Sequence, residues 1–93
     1  MPLVSDDEVE AFIEAHPEWS RHGAEITRTY VFAGFSESMG FVTRVALAAE
    51  KGDHHPDIDI RWNEVTLTLS THSAGGLTAK DLDLADLCDE LTG

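Results

Sequence analysis

Three of the five histidines in this 93-residue chain, His54, His55 and His72, flank a short stretch rich in strand-forming residues. An imidazole titrates near pH 6.5 and is the side chain best suited to give and take protons at neutral pH. Carboxylates lie close by in sequence at Glu50, Asp53 and Asp57, and Asp81 follows nine residues after His72. Three kinds of chemistry fit these residue types. They are solvated loop residues in an acidic protein, a metal site built from His54, His55 and His72 with Asp53 or Asp57, or an acid–base site in which imidazoles flank a bound molecule. No His pair at i, i+4 spacing and no Cys cluster supports the metal reading.

Positioning such groups requires defined elements on either side. Ser5 with Glu8 three residues later forms a capping box, Val4 is placed to staple against Val9, and Val9, Phe12 and Ile13 keep helical spacing until Pro17 forbids continuation. Glu25 to Phe32 reads as a half-buried strand because Ile26, Tyr30 and Phe32 share one parity, although Arg28 interrupts that face. Ser36 is a candidate cap for a second helix carrying Met39, Val42, Val45 and Ala49, with Gly52 as its stop. Thr78 with Asp81 is a second capping box, Leu77 stapling to Leu82, at the head of a third helix whose inner stripe is Leu84, Leu87, Cys88 and Leu91.

Between the second and third helices, Ile58, Ile60 and Trp62 share one parity while Val65, Leu67 and Leu69 share the other. A two-residue turn at Asn63 and Glu64 reconciles them by pairing Trp62 with Val65, Ile60 with Leu67 and Ile58 with Leu69, all on one buried face. Extending that ladder sets His55 opposite His72, on the face away from the apolar residues, although Pro56 lacks the amide proton that pairing needs. In this reading Trp62 is core, His16 and His22 are surface residues without partners, and Cys88 is a buried small residue. Asp81 has a sufficient role as a cap and Glu50 as a solvated helix residue.

Composition narrows the function classes. Hydrophobic residues make up 42% of the chain, enough for a single domain spanning residues 1–93 but not for two cores. Lys and Arg total 6 against 18 Asp and Glu, a formal charge of −12, which disfavours nucleic acid and anionic lipid as partners. No apolar run approaches the ~18 residues of a membrane span. The lone Cys88 and the acidic segment after Val4 lead us to expect a reducing, cytoplasmic setting without a signal segment. The order helix, strands, helix, hairpin, helix suggests an antiparallel sheet covered on one face by helices.

Taken together, Glu50, His54, His55, Pro56, Trp62, His72 and Asp81, with the run Thr71 to Thr78, resemble the signature of the pterin carbinolamine dehydratase family. The similarity extends upstream through Trp19, Ile26, Arg28, Tyr30, Phe32 and Phe35 to Ala49, while Asp53 stands where the family often has Asn. The resemblance implies an α+β fold, a four-stranded antiparallel sheet with three helices packed on one face, assembled as a homodimer or homotetramer. It implies dehydration of a 4a-hydroxytetrahydropterin to the quinonoid dihydropterin, in tetrahydrobiopterin recycling, without a metal or other cofactor. It assigns His54, His55, His72 and Asp81 to catalysis, and Glu50, Asp53, Pro56 and Trp62 to substrate contact. It also implies an alternative, non-catalytic role as a binding module that stabilises dimers of a homeodomain transcription factor.

Overall fold

The computed structural model describes residues 1–92. The chain runs α1 (Asp6–Ala15), β1 (Ser20–His22), β2 (Glu25–Val31), α2 (Phe35–Gly52), β3 (Asp57–Arg61), β4 (Glu64–Leu69), a 3-10 turn at His72–Ala74, and α3 (Ala79–Glu90). The four strands pair antiparallel in the order β1-β2-β4-β3. One sheet face supplies Ile26, Tyr30, Val65, Leu67 and Leu69 to a core completed by Val9 of α1, Phe41 and Val45 of α2, and Leu84, Ala85 and Cys88 of α3. All three helices therefore lie on that face, as expected. The other face carries Thr27, Thr29, Thr66 and Thr68, whose hydroxyls meet pairwise across β2 and β4 at 3.3 and 2.8 Å.

The local signals work as physics requires. Ser5 accepts the Glu8 amide while Glu8 accepts the Ser5 amide, each at 3.1 Å, so α1 begins with both donors satisfied. Val4 packs against the core cluster that includes Val9. The start of α2 differs from expectation: Gly34 is the cap residue, without a side-chain bond, and Ser36 lies inside the helix. At its end, Gly52 is the last helical residue and Asp53 adopts the left-handed conformation, φ 50°. The His54 amide then reaches back to the Ala49 carbonyl at 3.1 Å and the Asp53 amide to that of Glu50 at 3.2 Å, the pair of bonds that defines a Schellman ending.

The hairpin turns one residue earlier than expected. Arg61 pairs with Glu64, Ile60 with Val65 and Ile58 with Leu67, so Trp62 and Asn63 form the two-residue turn, Trp62 at φ 51°. The cause lies on β2: the Phe32 amide donates to the Asn63 carbonyl at 2.8 Å and the Asn63 amide group donates back to the Phe32 carbonyl at 3.2 Å. That bridge extends the β2–β4 ladder and commits Asn63 to it. Trp62 is consequently exposed rather than core, and Ile58, on the edge strand, is 37% exposed. Val65, Leu67 and Leu69 are fully buried, each contributing roughly 1.5–3 kcal/mol, so burial of β4 dominates the choice of face. The β3–β4 ladder ends at Asp57 and Thr68, before Pro56, and His55 does not pair with His72.

Two distant carboxylates tie α3 to the rest of the molecule. Asp89 accepts Trp19 Nε1–H at 3.1 Å, the Tyr30 hydroxyl at 2.5 Å and Arg28 Nη1 at 2.9 Å, and the Arg28 guanidinium lies 4.2 Å over the Tyr30 ring. This explains how Arg28 can share a face with the core. Burial, reinforced by Asp89, pushes the Tyr30 hydroxyl well above its ordinary range. Burial and Asp89 together hold the Cys88 thiol up at about 12, which makes it a buried, unreactive residue.

The second carboxylate, Asp86, holds His16, which was expected to be a partnerless surface residue. The His16 ring stacks on Phe12 at 4.1 Å, with Nδ1 3.0 Å from the Phe12 carbonyl and Nε2 3.1 Å from Asp86. Burial works to lower its pKa, but the bonds to Asp86 and to the Phe12 carbonyl outweigh it and raise the value above 6.5. Both ring nitrogens face acceptors, an arrangement that suits the imidazolium. Because the folded pKa is raised, this stabilisation is fully present below the unfolded pKa and is lost as pH rises through the folded one. We expect the melting-temperature gap between wild type and His16→Gln to be wider at about pH 5.5 than at about pH 9. A gap that is constant, or widens with pH, contradicts this assignment.

Candidate active site

The Schellman ending of α2 places the two adjacent histidines. The left-handed Asp53 reverses the chain, so that His54 turns inward between α2 and α3 while His55 faces the groove between α2 and β3. His54 lines a cavity of about 180 Å³ with Ala48, Gly52, Lys80, Asp83, Leu84 and Leu87. His55 lines a more open one of about 390 Å³ with Leu47, Ala49, Glu50, Pro56 and Ile58. Both grooves border the last turns of α2.

Each imidazole is held through Nε2 by a carboxylate. His54 Nε2 lies 2.5 Å from Asp81 Oδ1, and His55 Nε2 lies 2.7 Å from Glu50 Oε1. A carboxylate only accepts, so in both pairs Nε2 carries the proton and Nδ1 is the nitrogen left for a ligand. The pairs differ in their surroundings. Asp81 is fully buried and the His54 side chain is 14% exposed, whereas Glu50 and His55 are largely exposed. The inner pair is weakly screened and geometrically fixed, while the outer pair is worth little to stability.

Asp81 does two jobs at once. Its Oδ2 accepts the Thr78 backbone amide at 2.9 Å, as the first turn of α3 requires, and the Thr71 hydroxyl at 2.7 Å. Its Oδ1 is left for His54. Thr71 and Thr78, both buried, also meet hydroxyl to hydroxyl at 2.7 Å. The capping pattern Thr78–Asp81 points to the helix start, but it gives no hint that the Thr71 hydroxyl is a partner of Asp81. The sequence signal for that is a polar residue, Thr71, that keeps the inward parity of Val65, Leu67 and Leu69 two residues past the strand's end.

The remaining expected residues are distributed unevenly. Pro56 shares the groove of His55, and Asp53 is the turn residue that separates the two histidines. His72 opens the 3-10 turn, exposed, with no side-chain hydrogen bond among the described residues, and it lines neither groove. It nevertheless lies at the histidine end of the sheet, four residues beyond Thr68, while His55 lies two residues before that strand's partner Asp57. Trp62 sits in the turn at the opposite end of β3, about 20 Å from His55 at the rise of an extended strand. Among the described residues, no three His, Cys, Asp or Glu side chains gather as metal ligands.

The chain as a whole has close counterparts among known proteins. The model of the family described as Pterin 4 alpha carbinolamine dehydratase matches residues 2–91. The chain belongs to that family. A relative from Nocardia farcinica, named for the same dehydratase, is 54% identical over 89 residues, covering 96% of this chain and 94% of its own. Another from Chloroflexus aurantiacus is 50% identical over 93 residues, covering both chains completely. The crystal structure of a transcriptional coactivator/pterin dehydratase from Brucella melitensis superposes with a TM-score of 0.94 at 34% identity, over 99% of this chain and all of that one. As a member of the pterin dehydratase family the chain is a hydro-lyase, and its sheet with three helices is the family's α+β fold. No helix among the described residues is long and apolar enough to cross a membrane.

Proposed function

We propose that this protein dehydrates a 4a-hydroxytetrahydropterin to the quinonoid dihydropterin, using His54 and His55 for proton transfer with support from His72. The observation that carries this reading is a pair of consecutive imidazoles, each oriented through Nε2 by its own carboxylate at the end of α2. Loss of water from a carbinolamine breaks the C4a–O bond while the N5–H proton leaves, and the N5 lone pair forms the new C=N bond. One group must take the N5 proton and another must protonate the departing hydroxyl. A neutral imidazole presents a basic Nδ1 for the first step, and a protonated one supplies the second. The apolar walls of the His55 groove, Leu47, Ala49 and Ile58, suit the face of a flat bicyclic ring. We place the reaction in the recycling of tetrahydrobiopterin.

We expect His54→Ala, His55→Ala and His72→Ala each to lower turnover by about 10² to 10⁴. Stopped-flow decay of the carbinolamine, followed with a chelator present, measures this, and circular dichroism checks that each variant is folded. Wild-type turnover by the purified, folded variants would overturn the assignment.

A binding role has one observation in its favour. Phe35, Met39 and Leu47 stand exposed along α2, Leu47 at 68%, and large apolar side chains left open to water in this way suit an interaction surface. The occupant we infer is a second copy of this chain, giving a homodimer or homotetramer. The description of the Brucella melitensis protein as a coactivator makes a transcription-factor partner the alternative.

A further inference from the structure

We propose that Thr71 is a positioning residue for His54, acting through Asp81, an inference that rests on the acid–base reading above. Thr71 is 7% exposed and is tied by its backbone to Gly76, just past the end of β4. Its hydroxyl donates to Asp81 Oδ2 at 2.7 Å, which commits its one proton. The 2.7 Å contact with Thr78 is then read in one direction only, with the Thr78 hydroxyl donating to Thr71. The relay runs from Thr78 to Thr71 to Asp81, where it meets the Nε2–H of His54 arriving from the other side.

Two donors converge on Asp81 Oδ2, the Thr71 hydroxyl and the Thr78 amide, and together they fix the plane of the carboxylate. Oδ1 is thereby aimed at His54. Remove the Thr71 hydroxyl and the carboxylate keeps a single anchor from the backbone. Its terminal torsion is intrinsically broad, so it no longer holds one direction. The helix cap survives, because the Thr78 amide bond does not depend on Thr71. What is lost is the alignment of the imidazole and its preference for the proton on Nε2, and with it the free Nδ1 that meets the substrate. The buried, low-dielectric setting makes such a network sensitive to a single missing member.

The test compares Thr71→Val, Thr71→Ser and Thr71→Cys by steady-state kinetics and by nitrogen–proton correlation spectra that report the tautomer of the His54 ring. In wild type we expect the Nε2–H tautomer alone. Thr71→Val is expected to lower kcat about 10- to 100-fold and to give a mixture of tautomers, with KM within about two-fold of wild type. Thr71→Ser, which restores the hydroxyl, should recover both readouts, and the weakly donating thiol of Thr71→Cys should fall between. If the valine variant fails to fold, the cysteine variant carries the same test at smaller amplitude. Wild-type kcat with an unchanged His54 signal overturns the proposal, as does a loss that serine fails to restore. His54→Gln separates this outcome from failure of the acid–base reading. Full activity in that variant sinks the catalytic role of His54, whereas the ring spectra still decide what Thr71 does to it.

Discussion

Changing Asp81 to Asn lowers kcat/KM by about 10² to 10⁴ and destabilises the fold by about 1–3 kcal/mol, the largest combined effect we expect from any isosteric substitution in this chain. The carboxylate receives His54 Nε2–H, the Thr71 hydroxyl and the Thr78 amide, three donors on one fully buried group. An asparagine side chain has one acceptor oxygen and must turn its NH2 toward at least one of these donors. If the amide oxygen stays with Thr71 and Thr78, its nitrogen confronts His54 and drives the ring to the other tautomer. If it serves His54, the start of α3 loses its cap. Dehydratase kinetics and thermal melts on one preparation read both arms. Undiminished kcat/KM in the Asp81→Asn variant would show that the inner histidine does not work through this contact.

The second large effect is on stability alone. Asp89→Leu strips Arg28, Tyr30 and Trp19 of their shared acceptor on the core side of the sheet. Arg28 is left with its charge largely buried and no counter-ion, a loss of about 3–5 kcal/mol. For a domain of this size the melting temperature should fall by at least about 10 °C. Because none of these residues lines either histidine groove, the fraction that remains folded should keep its turnover per molecule. A melting temperature within a few degrees of wild type would mean that the cluster is compensated by solvent rather than by Asp89.

How far the sequence could be read depended on the range of each interaction. Ser5 with Glu8, and Thr78 with Asp81, lie three residues apart, so their caps were accessible to local reasoning. The hairpin shows where such reasoning stops. Sliding β3 against β4 by two residues preserves every inward and outward assignment, so alternation cannot tell the pairing of Ile60 with Leu67 from the observed pairing with Val65. The deciding contact, Asn63 with Phe32, joins residues 31 apart. Arg28 looked like an interruption of its strand because its partner, Asp89, is 61 residues away. His16 looked unpartnered for the same reason, Asp86 being 70 residues distant.

At the candidate site the residue types were readable and their arrangement was not. The sequence places His54 and His55 side by side, and simple strand alternation turns them to opposite faces. It is the left-handed Asp53, one residue past the helix end at Gly52, that gives each its own carboxylate. The cross-strand meeting of His55 with His72 required a ladder that Pro56 ends. Family resemblance supplied Asp81 as a functional residue, and the physical reason for it emerges only once α3 is folded against the end of α2.

The two tryptophans stand in contrasting environments, Trp19 enclosed with its indole proton on Asp89 and Trp62 in the open at the β3–β4 turn. The chain thus carries two fluorophores that answer different questions. Emission from Trp19 should shift to the red as the core opens, whereas Trp62, already surrounded by water and remote from the histidines, should barely respond to unfolding or to an occupied site. Single substitution of either indole would resolve the two signals without any added label.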